Sequence, residues 1–341
     1  MKPLRFFAAL AAAIFLTGAA AAAPAGSPLT LVAKYKMPAA VKGRFDHLGI
    51  DLRGNRLFLA AETYHAVLVF NLHTGKFERA ITGIQIPHAI FCRQDINRLY
   101  ITDGGAGELK IYDGKTYRLL KAVKLKVDAD SIGYDPATRD LYIDDGGGDA
   151  HEPFSMLSVV NTSSGEKVAD MQIDGDTLEA MALEPSGSRM FVNNRAKNQI
   201  AVVDRKTHQL IASWPVTMGR FNVAIALDPA SHRLFVGCRG GELVVFDTET
   251  GKELQALPIA KGVDDLVFDP ATKRIYATCG AAPGEIDVYQ EQDPDRYESL
   301  GRVPSAPGAK NQALAAGLAR LFVTVPPQGD APGEVYVYRT R

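Results

Sequence analysis

The sequence predicts an all-β protein, a single seven-bladed β-propeller in which the N-terminal strand pairs with the C-terminal blade. Three observations support this prediction. One short strand pattern recurs seven times along the 341 residues, its copies lie about 41 to 49 residues apart, and one extra strand precedes the first copy. A period of this length is typical of a four-stranded propeller blade.

The recurring pattern is an aliphatic residue followed by Phe or Tyr and then by small or β-branched residues. Such runs, bounded by turn residues, are typical of buried strands. The strand before several copies ends at Asp-Pro-Ala-Ser or Asp-Pro-Ala-Thr, where Asp and Pro favour a type I turn. The aliphatic anchors of the seven copies are Leu57, Leu99, Leu141, Met190, Leu234, Ile275 and Leu321.

The number of strands predicts how the ring closes. Each of the seven repeats supplies three strands, but a fourth strand follows only six of them within the chain. Residues 29–35 provide the missing strand, and we expect them to pair with residues 334–338. Pairing of the two chain ends removes the open sheet edges through which such an array would otherwise associate.

The first 23 residues have the pattern of a secretory signal peptide. Lys2 and Arg5 lie at the start, an apolar run follows from Phe6 to Leu16, and small residues continue to Ala23. The run is shorter than the roughly 20 residues of a membrane-spanning helix. We therefore expect a signal peptide at 1–23, a propeller at 24–341, and a periplasmic or secreted protein with no membrane span after cleavage.

Composition narrows the class of protein further. With 46% apolar and 23% charged residues, the chain has enough apolar material for a large core. Lys and Arg total 38 against 39 Asp and Glu, so a broadly basic nucleic-acid-binding surface is not expected. Three cysteines cannot form a disulfide framework. Cys238 and Cys279 occupy equivalent positions in adjacent repeats, and the sequence leaves open whether they are bridged.

The start of the first strand in each repeat defines the candidate site. In a propeller these strands line the central channel, so their first residues form a ring at one mouth. Six of the seven residues that lie eleven positions before an anchor can carry charge. Charges seldom converge without a partner or a ligand. The predicted ligand-binding residues are Asp46, His47, His88, Asp130, Glu179, Asp264, Asp265, Lys310 and Asn311.

The turns between the second and third strands should lie on the same face, because the chain returns there after two antiparallel strands. In the third repeat this turn is a long Gly-rich segment, 144–152, which either wraps a cation or is a solvated insertion. The charged and amide residues of these turns are Glu62, Asp103, Asp144, Asp145, Asn193, Asn194, Arg195 and Arg239.

Asp, Glu and His converging at one mouth suit a divalent cation. Oxygen-rich ligand sets favour Ca²⁺ or Mg²⁺, and histidines shift the preference toward Zn²⁺. No compact metal motif such as His-x-x-x-His occurs, so no cofactor is certain. Two alternatives remain open, namely a ring of internal ion pairs and a small anionic or polar ligand. The candidate metal ligands are Asp46, His47, His88 and Asp264.

The repeated segments Leu-Tyr-Ile-Thr-Asp and Met-Phe-Val-Asn-Asn, with Val-Val-Asp-Arg-Lys-Thr, resemble the YVTN-repeat (YncE-like) family of exported bacterial β-propellers. The resemblance covers nearly the whole mature chain and implies the fold, export and a binding or surface role. Residues 87–89 and 99–105 are also similar to one blade of the seven-bladed lactonase family. This second resemblance implies His88 as a general base, with Arg195 or Arg239 stabilising the developing oxyanion.

The sequence thus predicts an exported binding or interaction protein. Its polar channel mouth would accept a small ligand, a metal ion or a protein partner at the propeller face. The alternative is a lactonase-like hydrolase or isomerase that acts at the same mouth.

Overall fold

The computed structural model describes residues 26–340, so the predicted signal peptide lies outside the described residues. Strands in this range form seven four-stranded antiparallel sheets arranged around an axis. The protein is a seven-bladed β-propeller, as predicted. Helical structure between residues 26 and 340 is limited to short 3₁₀ turns, and none is long and apolar enough to cross a membrane. These turns are Glu62–Tyr64, Gly147–Ala150, Arg195–Lys197 and Ala316–Leu318.

The strands are numbered along the chain, beginning with β1 (Leu29–Lys36). Blades one to three contain β2 (Leu48–Asp51), β3 (Arg56–Ala61), β4 (Ala66–Asn71), β5 (Phe77–Ile81), β6 (Pro87–Arg93), β7 (Arg98–Asp103), β8 (Glu108–Asp113), β9 (Leu119–Lys124), β10 (Ile132–Asp135), β11 (Asp140–Gly146), β12 (Phe154–Asn161) and β13 (Glu166–Asp174).

Blades four to six contain β14 (Leu178–Leu183), β15 (Arg189–Asn194), β16 (Gln199–Asp204), β17 (Gln209–Pro215), β18 (Asn222–Asp228), β19 (Arg233–Cys238), β20 (Glu242–Asp247), β21 (Glu253–Pro258), β22 (Val263–Asp269), β23 (Arg274–Cys279), β24 (Glu285–Asp293) and β25 (Arg296–Pro304). Blade seven is built from β26 (Gln312–Ala315), β27 (Arg320–Val325), β28 (Glu334–Thr340) and β1.

The ring closes as the strand count predicts. β1 pairs antiparallel with β28, from Leu29 opposite Thr340 to Lys36 opposite Glu334. The sheet order is β1-β28-β27-β26, so the first described strand forms the outer edge of the last blade. Residues from the two ends of the chain therefore share one sheet.

The recurring aliphatic–aromatic pair links each blade to both of its neighbours. Successive side chains of a strand point to opposite faces of the sheet. In blade one, Leu57 packs in a cluster with Phe322 of blade seven, whereas Phe58 packs in a cluster with Leu99 of blade two. The equivalent pairs do the same in the other blades. One dipeptide per repeat thus builds the apolar core between every pair of adjacent blades.

Small residues in the inner strands let adjacent blades approach each other closely. A Cβ on Gly49 would stand 2.7 Å from Ile90 of blade two, and one on Gly133 would stand 2.6 Å from Leu183 of blade four. The alternation of large and small residues along the first strand of each repeat therefore has a packing cause.

The three cysteines of the protein form no disulfide within the described residues. Cys238 and Cys279 are both free and buried, so these adjacent-blade residues are not bridged. Cys92 is also free and is half-buried.

Not all of the polar residues in the second-to-third-strand turns reach the mouth. Asp103 accepts hydrogen bonds from the backbone N–H groups of Gln85 and Ile86, at 2.9 Å each. Asp145 accepts one from the N–H of Lys126 at 2.7 Å. Each carboxylate holds the chain segment that leads into its own blade, because the backbone donors of that segment need partners.

Candidate functional site

The first residues of the inner strands converge at one mouth of the channel. β2 begins after His47 and β10 after Ser131, so the polar residues stand where these strands start. With the second-to-third-strand turns, they surround a cavity of about 300 Å³. The ionisable residues that line it are Arg44, Asp46, His47, Glu62, His88, Asp128, Asp130, Asp149, Glu179, Arg195, Arg239, Asp264 and Lys310.

Two of the predicted ligand-binding residues do not line this cavity. Asp265 lines a neighbouring cavity of about 220 Å³ farther along the channel, where it accepts a hydrogen bond from the N–H of Gln312 at 2.8 Å. Asn311 is 1% exposed, and its amide donates to Asp46 and Asp264 at 3.2 Å each. Asp265 also lies 3.2 Å from Nδ1 of His47, so both residues contact side chains of the mouth from behind the cavity wall.

Asp46 contacts both histidines of the mouth. Its Oδ2 lies 2.6 Å from Nδ1 of His88, and its Oδ1 lies 3.7 Å from Nε2 of His47. Burial by itself would raise the pKa of Asp46, but the charges of His47 and His88 lower it below its usual value. Asp46 is therefore a carboxylate at neutral pH.

Both histidines of the mouth are held in the protonated state by carboxylates. Burial opposes the charge on His88, but Asp130 and Asp46 raise its pKa to about 9. The pKa of His47 is raised well above its usual value, because Asp46 and Asp265 outweigh its burial. At neutral pH each imidazole thus carries a positive charge.

Every fixed cation of the mouth is paired with a carboxylate. Arg44 lies 3.0 Å from Glu62, and Arg195 lies 2.8 Å from Glu179. Asp264 takes two cations, with Lys310 at 2.5 Å and Arg239 also in contact. The four fixed cations are therefore all engaged, and the carboxylates of blade three are left without one.

The carboxylates of blade three form the acidic side of the mouth. Burial and the neighbouring Asp46 raise the pKa of Asp130 to about 6, although His88 opposes the shift. The pKa of Asp144 is raised well above its usual value by burial and by Asp130 and Glu179. Within the described residues, Oδ1 of Asp130 and Oδ1 of Asp144 are buried and have no hydrogen-bond partner. Such acceptors favour a bound cation or donor.

Two groups of side chains bring metal-ligating atoms together. The groups are Asp46, Glu62 and His88, and Asp46, His47 and Asp130, and within each group the ligating atoms lie within 4.8 Å of one another. Asp46 belongs to both. Asp264, a predicted metal ligand, belongs to neither of them, because Arg239, Lys310 and Asn311 already engage its oxygens.

Glu62 is among the turn residues predicted to lie on this face but not in the predicted ligand-binding set, and that set lacks Arg44 and Asp128 as well. A signal for Arg44 and Asp128 existed, since each lies two residues before a predicted site residue in the segment that leads into an inner strand. Asp149 is the one carboxylate that the Gly-rich turn of blade three contributes to this cavity.

Fold and site together define the class: a seven-bladed β-propeller with an acidic channel mouth. No known family model matches the chain. A curated seven-bladed β-propeller protein of Mycobacterium tuberculosis is 24% identical over 157 residues, which is 45% of this chain and 39% of that protein. The matched part therefore spans well under half of the relative's length.

Solved structures agree on the fold. A chain in the crystal structure of a mitotic checkpoint complex superimposes with a TM-score of 0.74 over 99% of this chain and 98% of that chain. The two sequences are 14% identical, so this likeness concerns the fold alone.

Proposed function

We propose that this protein is an exported binding protein of the YVTN-repeat kind whose channel mouth binds a divalent cation. One observation carries the proposal: ligating atoms of Asp46, His47 and Asp130 lie within 4.8 Å of one another in an acid-rich cavity. Metal–ligand bonds are about 2.0–2.6 Å long, so small side-chain movements would bring all three atoms onto one ion.

The charges of the mouth support a cationic occupant. Seven carboxylates line the cavity against four fixed cations and two histidines. The negative charge that no fixed cation pairs with lies at Asp128 and Asp130. The arginines and the lysine form ion pairs with other carboxylates. A divalent cation between Asp46 and Asp130 would take over the positive charge that protonated His47 supplies to both carboxylates.

The donor set favours a transition metal over Ca²⁺. Asp46 and Asp130 offer oxygen, and His47, which has to release its proton to the solvent before it can bind, offers an imidazole nitrogen. This mixture of donors is typical of Zn²⁺ and related ions. Three protein ligands would leave a coordination position free for a small polar ligand or a partner side chain that enters the cavity. Export is supported by the signal-peptide pattern of residues 1–23.

The test compares metal binding by the exported chain and two variants that lose the same charge. After chelator treatment, Zn²⁺, Mn²⁺ or Ca²⁺ is titrated by calorimetry and in thermal unfolding. We expect one equivalent of Zn²⁺ to stabilise the wild type by about 2.7 kcal/mol at a hundred times the dissociation constant. Asp46→Asn should lose this response.

The control is Asp149→Asn, because Asp149 lines the same cavity but belongs to neither group of ligating atoms. The Zn²⁺ affinity of this variant should stay within a factor of a few of the wild-type affinity. Absence of stabilisation in the wild type, or equal responses in all three proteins, would contradict the proposal.

A lactonase-like hydrolase is the second candidate, and the hydrogen bond from His88 to Asp46 is the observation in its favour. A base must accept a proton, however, and the raised pKa of His88 keeps it protonated at neutral pH. Arg195 and Arg239 are likewise engaged by carboxylates. If the wild type hydrolyses a sugar lactone and the His88→Ala variant does not, the protein is a hydrolase and the binding-protein proposal is wrong.

A further inference from the structure

The face opposite the mouth carries a second cavity. The turns between the first and second strands of blades one and two flank it, and its volume is about 360 Å³. Cys92 lines it together with Phe58 and Leu99, which are 1% exposed and form its floor as part of the core. An adjoining cavity of about 340 Å³ shares Arg53 and Cys92 and continues as far as Tyr134. We call the two together the basic groove.

The groove has an excess of positive charge. Its first cavity is lined by five basic side chains and two carboxylates, namely Arg53, Arg56, Arg93, Arg98, Lys115, Asp51 and Asp95. Two of the arginines are neutralised, since Arg56 Nε donates to Asp51 at 3.0 Å and Arg93 Nε donates to Asp95 at 2.8 Å.

The other three cations have no carboxylate partner. Arg53 and Lys115 are exposed, and their side chains make no hydrogen bond or ion pair with the described residues. Arg98 donates only to the backbone carbonyls of Ile96 and Asn97, at 3.2 and 3.1 Å. Three uncompensated cations thus surround one concavity in a chain whose net charge is −1.

The apolar side of the groove adds no negative charge. Cys92 is half-buried and stays a neutral thiol, because burial raises its pKa to about 12. The tilted rings of Phe91 and Tyr134 pack together with their centroids 4.7 Å apart, and the guanidinium of Arg93 lies 5.3 Å from the centroid of the Tyr134 ring. The groove therefore presents flat apolar surface beside free guanidinium and ammonium groups.

We propose that the basic groove binds a small organic anion that carries a phosphate monoester on an apolar body. Guanidinium groups match the geometry of phosphate oxygens, and Lys115 adds a further charge. The apolar body would cover the half-buried side chains of Phe91, Cys92 and Tyr134. Such a ligand would be repelled by the acidic mouth, so the two sites select opposite charges.

Phenyl phosphate is a suitable probe, measured by calorimetry against the exported chain. We expect one site that binds phenyl phosphate roughly tenfold or more tightly than inorganic phosphate, because a phenyl ring buries apolar area. Phenol, which lacks the charge, should not bind measurably. Affinity should fall as salt is raised. Equal affinities for phenyl phosphate and inorganic phosphate would overturn the proposed role of the apolar side.

Variants locate the binding. Arg53→Ala with Lys115→Ala should weaken phenyl phosphate binding about tenfold or more. The control, Lys206→Ala with Lys252→Ala, removes the same charge from exposed positions on the same face, in the turns between the third and fourth strands of blades four and five, and it should bind as the wild type does. Equal weakening in both double variants would mean a non-specific charge effect, and no binding by the wild type would refute the site.

The mouth variant keeps this test separate from the metal proposal. Asp46→Asn alters the opposite face, so its phenyl phosphate affinity should equal that of the wild type. A loss of phenyl phosphate binding in Asp46→Asn would place the anion at the mouth and contradict the basic groove.

Discussion

Residues at the same position of the repeat have different chemistry in this propeller. Asp46 and Asp130 both lie eleven residues before an anchor. The pKa of Asp46 is lowered by two protonated histidines despite its burial, whereas that of Asp130 is raised to about 6 by burial and by Asp46. The neighbours that a side chain meets across the ring, and not its place in the repeat, decide its ionisation.

Asp145 allows a pH-dependent test at the scale of one residue. Burial raises its pKa from 3.8 to about 6, although Lys126 N–H and Ser158 donate to it. A carboxyl whose pKa is higher in the folded state stabilises the fold fully below pH 3.8 and loses that contribution as the pH rises through 6.

We therefore expect Asp145→Asn to gain stability relative to the wild type between pH 4 and pH 7. A shift of about two pKa units corresponds to at most about 3 kcal/mol. Urea unfolding of both proteins at each pH measures the difference. A gap between the two proteins that is the same at both pH values would show that Asp145 has no raised pKa.

Adjacent blades contact each other through their strands and turns. Trp214 of β17 lies between Phe191 of its own blade and Phe246 of blade five, with ring centroids 5.3 and 6.3 Å away. Gly251, in the turn between β20 and β21, has φ 71°, and a Cβ there would stand 2.4 Å from the Trp214 ring. This turn of blade five therefore packs its backbone on the outer strand of blade four.

Gly251→Ala should open this contact. A left-handed Ala costs about 1 kcal/mol, and forcing the ring aside costs a further 1–3 kcal/mol or so. Because Trp214 is the single Trp of the sequence, its fluorescence reports the displacement directly. Gly329→Ala is the control, with φ 59° and open space around its Cβ. Similar losses of stability and equal spectra in the two variants would show that the ring contact is unimportant.

The whole molecule depends on ring closure. Seven apolar clusters in the described chain each join two adjacent blades, and two of them contain residues of β1. Leu29 is fully buried between blades six and seven, and Tyr35 is 6% exposed between blades seven and one. One strand thus takes part in the core on both sides of its blade.

A chain that begins at Met37, and so lacks β1, should lose stability. Removing Leu29 and Tyr35 from the core costs roughly 1.5–3 kcal/mol each, and β28 becomes an unpaired edge that favours aggregation. Thermal unfolding and light scattering compare it with a chain that begins at Gly26 and retains β1. If both chains unfold at the same temperature as monomers, closure by β1 is not required.

Much of the architecture was readable from local patterns. Strand periodicity, turn residues and the repeat length depend on neighbouring residues in the chain, so they predict seven blades, the pairing of β1 with β28 and a polar ring at one mouth. Seven of the nine predicted ligand-binding residues line the mouth cavity for this reason.

Local sequence patterns do not predict contacts between distant repeats. Asn311 donates a hydrogen bond to Asp46, which lies 265 residues away in the chain. Asp264 accepts hydrogen bonds from Arg239 and Lys310 of the two neighbouring blades. The free state of Cys238 and Cys279 is equally a matter of distance in space. Periodicity specifies which residues are strands and which way they alternate, but the partner of a charged side chain depends on three-dimensional packing, and that partner decides its charge.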